Sequence, residues 1–342
     1  MKPISQITLH ASALCALVAV LDGCSGGMAQ SSLVPPVPAL SHSNTNAGVP
    51  KPSAKSRAHR NSAGGYVYVS NWTQAGSPEL LVYRADTQDP SPIRTVTQGL
   101  VDVAGVAVDS SGDVYVANGS GGNVLEFSPG GASLVQTYSQ DLYHPIGVTV
   151  AGSTLYVADL GQVLEYSIGN GNPTNGIAGI GAPGQSNEGI AVNPLGNSGT
   201  FFASASTLSN IPPSGICSTS GAYTVAEDVM PTLWLVVPLT NNEQASGIAF
   251  DAEGNLYVAD PCANKIAVYS DSAGWTYSHS VQGTFETPFL LTINSQFLAV
   301  PSAGSGSASG FATIVDLSGD TSTVTITKGL QHPVGAAVAP GS

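Results

Sequence analysis

Short apolar runs, each opened by a glycine, recur along the chain. Aligned on that glycine they stand at Gly105, Gly147, Gly189, Gly247, a substituted Leu290, and Gly335, in steps of 42, 42, 58, 43 and 45 residues. The runs themselves are Val106 to Val108, Val148 to Val150, Ile190 to Val192, Ile248 to Phe250, Leu291 to Ile293 and Ala336 to Val338. Continuous apolar runs of this length, bounded by Gly, Asp and Asn, predict strands buried on both faces. Asp109-Ser-Ser-Gly-Asp113 and Asp251-Ala-Glu-Gly-Asn255 supply hairpin turns, with Gly at the left-handed position. A second strand follows in three near-copies: Gly112 to Asn118 (GDVYVAN), Ser153 to Asp159 (STLYVAD) and Gly254 to Asp260 (GNLYVAD). A third, alternating strand repeats at Asn123 to Phe127, Gln162 to Tyr166, Lys265 to Tyr269 and, more loosely, Glu79 to Tyr83. Such a unit, repeating about every forty residues, is the pattern of a radial all-β array.

The two ends set the number of units. Tyr66 to Ser70 reads as a second strand with no first strand before it, and His332 to Val338 as a first strand with nothing after it. If the C-terminal strand enters the sheet begun at Tyr66, the chain closes as a six-bladed β-propeller of four-stranded antiparallel blades. Closure removes sheet edges that invite aggregation. A β-sandwich would leave the matched half-units at the two ends unexplained.

The units resemble the NHL repeat, which runs Pro-x-Gly-Ile-Ala-Val-Asp, then Gly-Asn-Leu-Tyr-Val-Ala-Asp, then Asn-x-Ile-x-Val-Tyr. Ser246 to Tyr269 matches nearly throughout, Ala104 to Phe127 follows closely, and His144 to Tyr166 matches with a shortened turn. The stretches Gly189 to Ser204 and Leu290 to Pro301 depart from it. The resemblance implies a propeller over residues 63–342 but no one activity, since a fold hosts many functions.

The start of the chain is a separate object. Lys2 precedes a mostly apolar stretch from Ile7 to Leu21, too short and too broken by His10 and Ser12 for a membrane span but suited to a secretory signal. It ends in Leu21-Asp22-Gly23-Cys24, which resembles a bacterial lipobox with an Asp at the −2 position, and which implies lipidation at Cys24. Residues 1–24 are therefore expected to direct export to the cell envelope as a lipoprotein, the alternative being ordinary cleavage and secretion. Residues 25–62, rich in Ser, Pro, Ala and Asn without an apolar period, are expected to form a flexible tether. Membrane association is then through the lipid anchor alone.

Charge and cysteines narrow the partners. From Ala63 onward 21 acidic residues face only Arg84, Arg94, Lys265 and Lys328, a net of about −17. A domain so acidic repels phosphate backbones, which argues against nucleic acid. Cys15 falls in the signal and Cys24 at the anchor, leaving Cys217 and Cys262 as a candidate disulfide in an oxidising compartment.

Two polar rings carry the candidate chemistry. Three places before each strand glycine stand Asp102, His144, Ser186, Gln244, Thr287 and His332, expected at a mouth of the central tunnel, with Glu188 beside them. A carboxylate near an imidazole can make a general base, so Asp102, His144, Glu188 and His332 are the candidate catalytic residues. The alternative is that His-Pro merely shapes the turn into the strand. The second strands close on Asn71, Asn118, Asp159 and Asp260, with Ser204 and Pro301 breaking the ring. Asp159 and Asp260 are candidate calcium ligands; more often such side chains hold turns, and no cofactor is expected. No serine-nucleophile elbow, phosphate loop or zinc-protease motif occurs.

The reading favoured by anchor, tether and closed disc is a monomeric binding module for a protein, peptide or glycan in the envelope. A tunnel-mouth hydrolase or lyase, similar to gluconolactonases or virginiamycin B lyase, is the alternative. The lactonase type needs convergent Glu, Asn and Asp ligands and the lyase type paired late His and Glu, and the ring offers neither set. A third reading is a structural spacer, which would lack an apolar patch.

Overall fold

The computed structural model describes residues 65–339 except 86, 179–185, 196–200, 207–222, 231–232, 238, 240–243, 272–273, 305–308 and 320. The signal, Cys24, the tether and Cys217 lie outside the described residues. The described residues fold into six antiparallel sheets of four strands each. The first blade is ordered, from the inside outward, His332–Val338, Tyr66–Trp72, Pro78–Arg84 and Arg94–Val96. Its innermost strand is thus the last of the chain, paired with Tyr66–Trp72 in the register Val67 to Val338 and Ser70 to Gly335.

The other innermost strands are Val103–Val108, Gly147–Ala151, Ser186–Val192, Ile248–Phe250 and Thr292–Ile293, for blades two to six in turn. Each lies against the innermost strands of the two neighbouring blades, which closes the ring. The sixth is the shortest, and its start is carried by Leu290, bridged in parallel to Gly335. The insertion in the fourth unit supplies that blade's outer strands, Tyr223–Met230 and Leu233–Val236, so Trp234 belongs to an outer strand.

Close approach at the axis explains the recurring glycine. A Cβ on Gly105 would lie 2.7 Å from the Ile146 carbonyl oxygen, on Gly147 2.2 Å from that of Glu188, on Gly247 2.3 Å from that of Phe289, and on Gly335 2.4 Å from that of Ala104. In each case the neighbour is the residue just before the aligned position of the next blade. Ser70 reinforces this tier: its hydroxyl donates to the Ala104 carbonyl at 2.5 Å and accepts the Gly335 amide at 2.8 Å.

Between blades the strands bury aliphatic and tyrosine side chains on both faces, which is why their sequences are apolar without alternation. The tyrosine hydroxyls then pin one blade to the next. Tyr68 accepts the Gly130 amide at 2.8 Å, Tyr138 accepts the Gly169 amide at 3.0 Å, and Tyr83 donates to the Lys328 carbonyl at 2.8 Å. The Tyr138 and Tyr166 rings meet edge to face at 5.4 Å. Burial pushes the Tyr68 hydroxyl up to about 12, so it remains protonated at any physiological pH.

Candidate functional site

The two polar rings turn out to be one device. The Asn118 side-chain oxygen accepts the backbone amides of Val101 at 2.7 Å and Asp102 at 2.9 Å. Asp159 accepts those of Tyr143 at 3.0 Å and His144 at 2.6 Å, and Asn71 those of Gln331 at 2.9 Å and His332 at 3.0 Å. The end of each of these second strands therefore holds the loop that leads into the innermost strand of its own blade. Asp260 instead closes a local turn, accepting the amides of Cys262 and Ala263 at 3.1 Å. The two candidate calcium ligands, Asp159 and Asp260, thus aim side-chain oxygens at backbone N–H groups of the loops. Among the described residues no three His, Cys, Asp or Glu side chains gather to hold a metal ion.

Held in this way, Asp102 of the second blade meets His144 of the third. The carboxylate lies 3.4 Å from His144 Nε2 and also accepts the Ser120 amide at 3.0 Å and hydroxyl at 2.5 Å. Each partner shifts the other: the hydrogen bond to His144 lowers Asp102, and the bond to Asp102 raises His144. Gly119 makes room for the pair, since a Cβ there would lie 2.8 Å from the imidazole. Asp102 is thus the candidate acid that reaches His144. Glu188 is buried on the tunnel wall, its carbonyl packed on Gly147, and His332 is placed by Asn71 in the first blade. Cys262 is disulfide-bonded.

Among the described residues a cavity lies at the opposite end of the axis. At the glycine tier the passage shrinks to a void of about 10 Å³, no more than one water occupies. Beyond it the innermost strands diverge into a funnel of about 440 Å³. Its depth is set by small residues two places after the aligned glycine: Ala107, Thr149, Ala191, Ala249, Thr292 and Ala337. One place further, Val108, Val150, Val192, Phe250, Ile293 and Val338 form an apolar collar. The rim is polar, with Asp109, Ser110, Asp251, Asn294 and Ser295, and among the described residues no basic side chain lines any part of it. Small, then apolar, then Asx at successive repeat positions was the sequence signal for this funnel. The imidazole–carboxylate pair is cut off from it by the glycine tier.

No family model and no curated protein matches the chain. Solved structures do. The chain is a β-propeller. It superposes on a chain of the nidogen/laminin complex with a TM-score of 0.60 at 17% identity, covering 82% of this chain and 100% of that one. A protein of unknown function from Bacteroides caccae superposes equally, with a TM-score of 0.60 at 14% identity, covering 80% of this chain and 98% of that one. At these identities the likeness is one of fold.

Proposed function

We propose that the protein is an exported, lipid-anchored propeller of NHL type that serves as a binding module in the cell envelope, with its ligand seated in the funnel. The funnel carries this reading: a preformed, largely apolar concavity with a few polar groups at its rim has the size and character of an ordinary ligand site, about 300–1,000 Å³. The Asp102–His144 pair, 3.4 Å apart, ties the second blade to the third. The signal-like start, Cys24 and the segment 25–62 support export and anchoring. One structurally similar propeller comes from a nidogen/laminin complex, in keeping with a protein partner here.

The test is site-specific photo-crosslinking in cells of the full chain. A crosslinker at Val150, inside the funnel, should give discrete adducts, whereas one at Ile93, 51% exposed on the first blade, should not. Adducts absent from Val150, or identical from both sites, would remove the funnel as the ligand site. Cys24→Ala should move the protein from the membrane fraction to the soluble fraction, and retention in the membrane would remove the lipid anchor.

A further inference from the structure

Among the described residues, every charged or amide side chain that lines the funnel is already engaged within the protein. Asp109 accepts the Ser111 and Asp113 amides at 2.8 and 2.9 Å with one carboxylate oxygen, and the Tyr115 hydroxyl at 3.2 Å with the other. Asp251, 5% exposed, takes the backbone and side-chain amides of Asn255, each at 2.8 Å. Asn294 accepts the Gln296 and Phe297 amides at 2.8 and 2.7 Å and donates to the Val338 carbonyl at 3.2 Å. Two threonines stand in the wall at the same repeat position. Thr292 donates its hydroxyl proton to the Ala336 carbonyl at 2.8 Å. Thr149 is the exception, for its hydroxyl has no partner among the described residues. Ser110 and Ser295 lie further out, exposed on turns. Deep in the funnel, apolar walls therefore surround one open hydroxyl.

Resting on the funnel being the ligand site, we infer that its occupant is an uncharged, largely hydrocarbon molecule whose one hydroxyl or carbonyl oxygen hydrogen-bonds to Thr149. A charged group lowered into the funnel would be desolvated without a partner, which is costly. An anion would in addition meet the field of a strongly acidic domain. A neutral hydrocarbon body exchanges water for Val108, Val150, Phe250 and Ile293, and is stabilised in proportion to the apolar area it buries. This wall is preformed: Phe250 is braced by Trp275, the two rings edge to face at 5.7 Å. A threonine hydroxyl both donates and accepts, so Thr149 serves an alcohol or a ketone alike.

The probes share one hydrocarbon cage and differ in charge: 1-adamantanol, protonated 1-adamantylamine and 1-adamantanecarboxylate, each titrated calorimetrically into the full chain. The alcohol should bind about tenfold tighter than either ion and should suppress the adducts formed from the Val150 crosslinker. Thr149→Val, which exchanges the hydroxyl for a methyl, should weaken the alcohol about tenfold, whereas Thr149→Ser, which keeps the hydroxyl, should not. Val150→Trp, which fills the collar, should abolish binding. An ion that binds as tightly as the alcohol would overturn the uncharged occupant. Equal affinity in Thr149→Val and the parent, or equal loss in Thr149→Val and Thr149→Ser, would overturn the hydrogen bond. Binding that survives Val150→Trp would overturn the funnel as its seat. Adducts from Val150 without binding of the alcohol would overturn this ligand class and leave the funnel standing. Neither adducts nor binding would overturn the funnel itself.

Discussion

The side-chain oxygen of Asn71 accepts the backbone amide of His332 at 3.0 Å, across 261 residues of chain. The same atom takes the Gln331 amide, and the Asn71 side-chain amide donates to Glu79 at 2.7 Å. One buried side chain therefore locks the last strand onto the first blade.

Replacing Asn71 by Ala leaves two partly buried amides without a partner and is expected to cost about 1–3 kcal/mol, read as a lower urea midpoint. Asn71→Asp keeps the acceptor but sets a second carboxylate against Glu79. Its penalty is expected at neutral pH, where two like charges then meet, and should shrink as salt is raised. An Asn71→Asp variant as stable as the parent at pH 7 would contradict the assigned contacts.

Gly147→Ala should be among the most damaging single changes, because its Cβ would stand 2.2 Å from a backbone oxygen that the ring holds in place. Gly65→Ala, whose Cβ would meet nothing closer than 3.5 Å, is the matched control and should change stability by about 0.5 kcal/mol or less. Denaturation in urea compares the two.

The Asp102–His144 pair predicts a pH window. His144 is raised in the folded state, so its contribution is full below the unfolded imidazole value, about 6.5, and is lost as pH rises through the higher folded value. Asp102 is lowered, so its contribution is present above the unfolded carboxylate value, about 3.9, and is lost as pH falls through the lower folded one. The pair thus helps most between about pH 4 and 6.5. With His144 36% exposed, the gain is expected at only about 0.2–1 kcal/mol. His144→Gln should flatten that part of the stability–pH curve, and 1 M salt should reduce the difference.

Glu126 is 4% exposed, and burial raises its carboxyl even though Tyr138 donates to it at 2.7 Å. A raised folded value means that ionisation destabilises the fold as pH climbs past the unfolded value. Glu126→Gln should therefore match the parent near pH 4 and exceed it at pH 8, by about 1 kcal/mol. A variant weaker than the parent at pH 8 would show that the charged form is the stabilising one.

Cys262 is disulfide-bonded, and Cys217 is the other cysteine beyond the first 24 residues. Peptide mapping without reduction should recover the two joined. Reduction or Cys262→Ser should then cost about 2–4 kcal/mol by freeing the loop between them.

The blades were legible because burial between two neighbours leaves a plain trace: apolar runs with a fixed glycine. Half-units at Tyr66 and His332 likewise announced how the ring shuts. The site was less legible. Asx residues at the ends of the second strands suggest ligands or turns when read alone, and only the paired geometry shows Asn118 and Asp159 clamping loops from elsewhere in their blades. Reactive side chains stand out in a sequence, and they drew attention to the Asp102 end of the axis. The funnel at the other end is made by what is small, as at Ala107 and Ala249, and space has no motif.

Because the innermost strand of the first blade is synthesised after every other described strand of the ring, order of manufacture and order of assembly run in opposite senses. Residues 66–96 emerge early yet must wait, with one flank bare, until 332–338 arrive. Any product cut short before that point would carry two sticky borders and no seal, so the cell's incentive to finish this chain, or destroy it, is built into where its two ends meet.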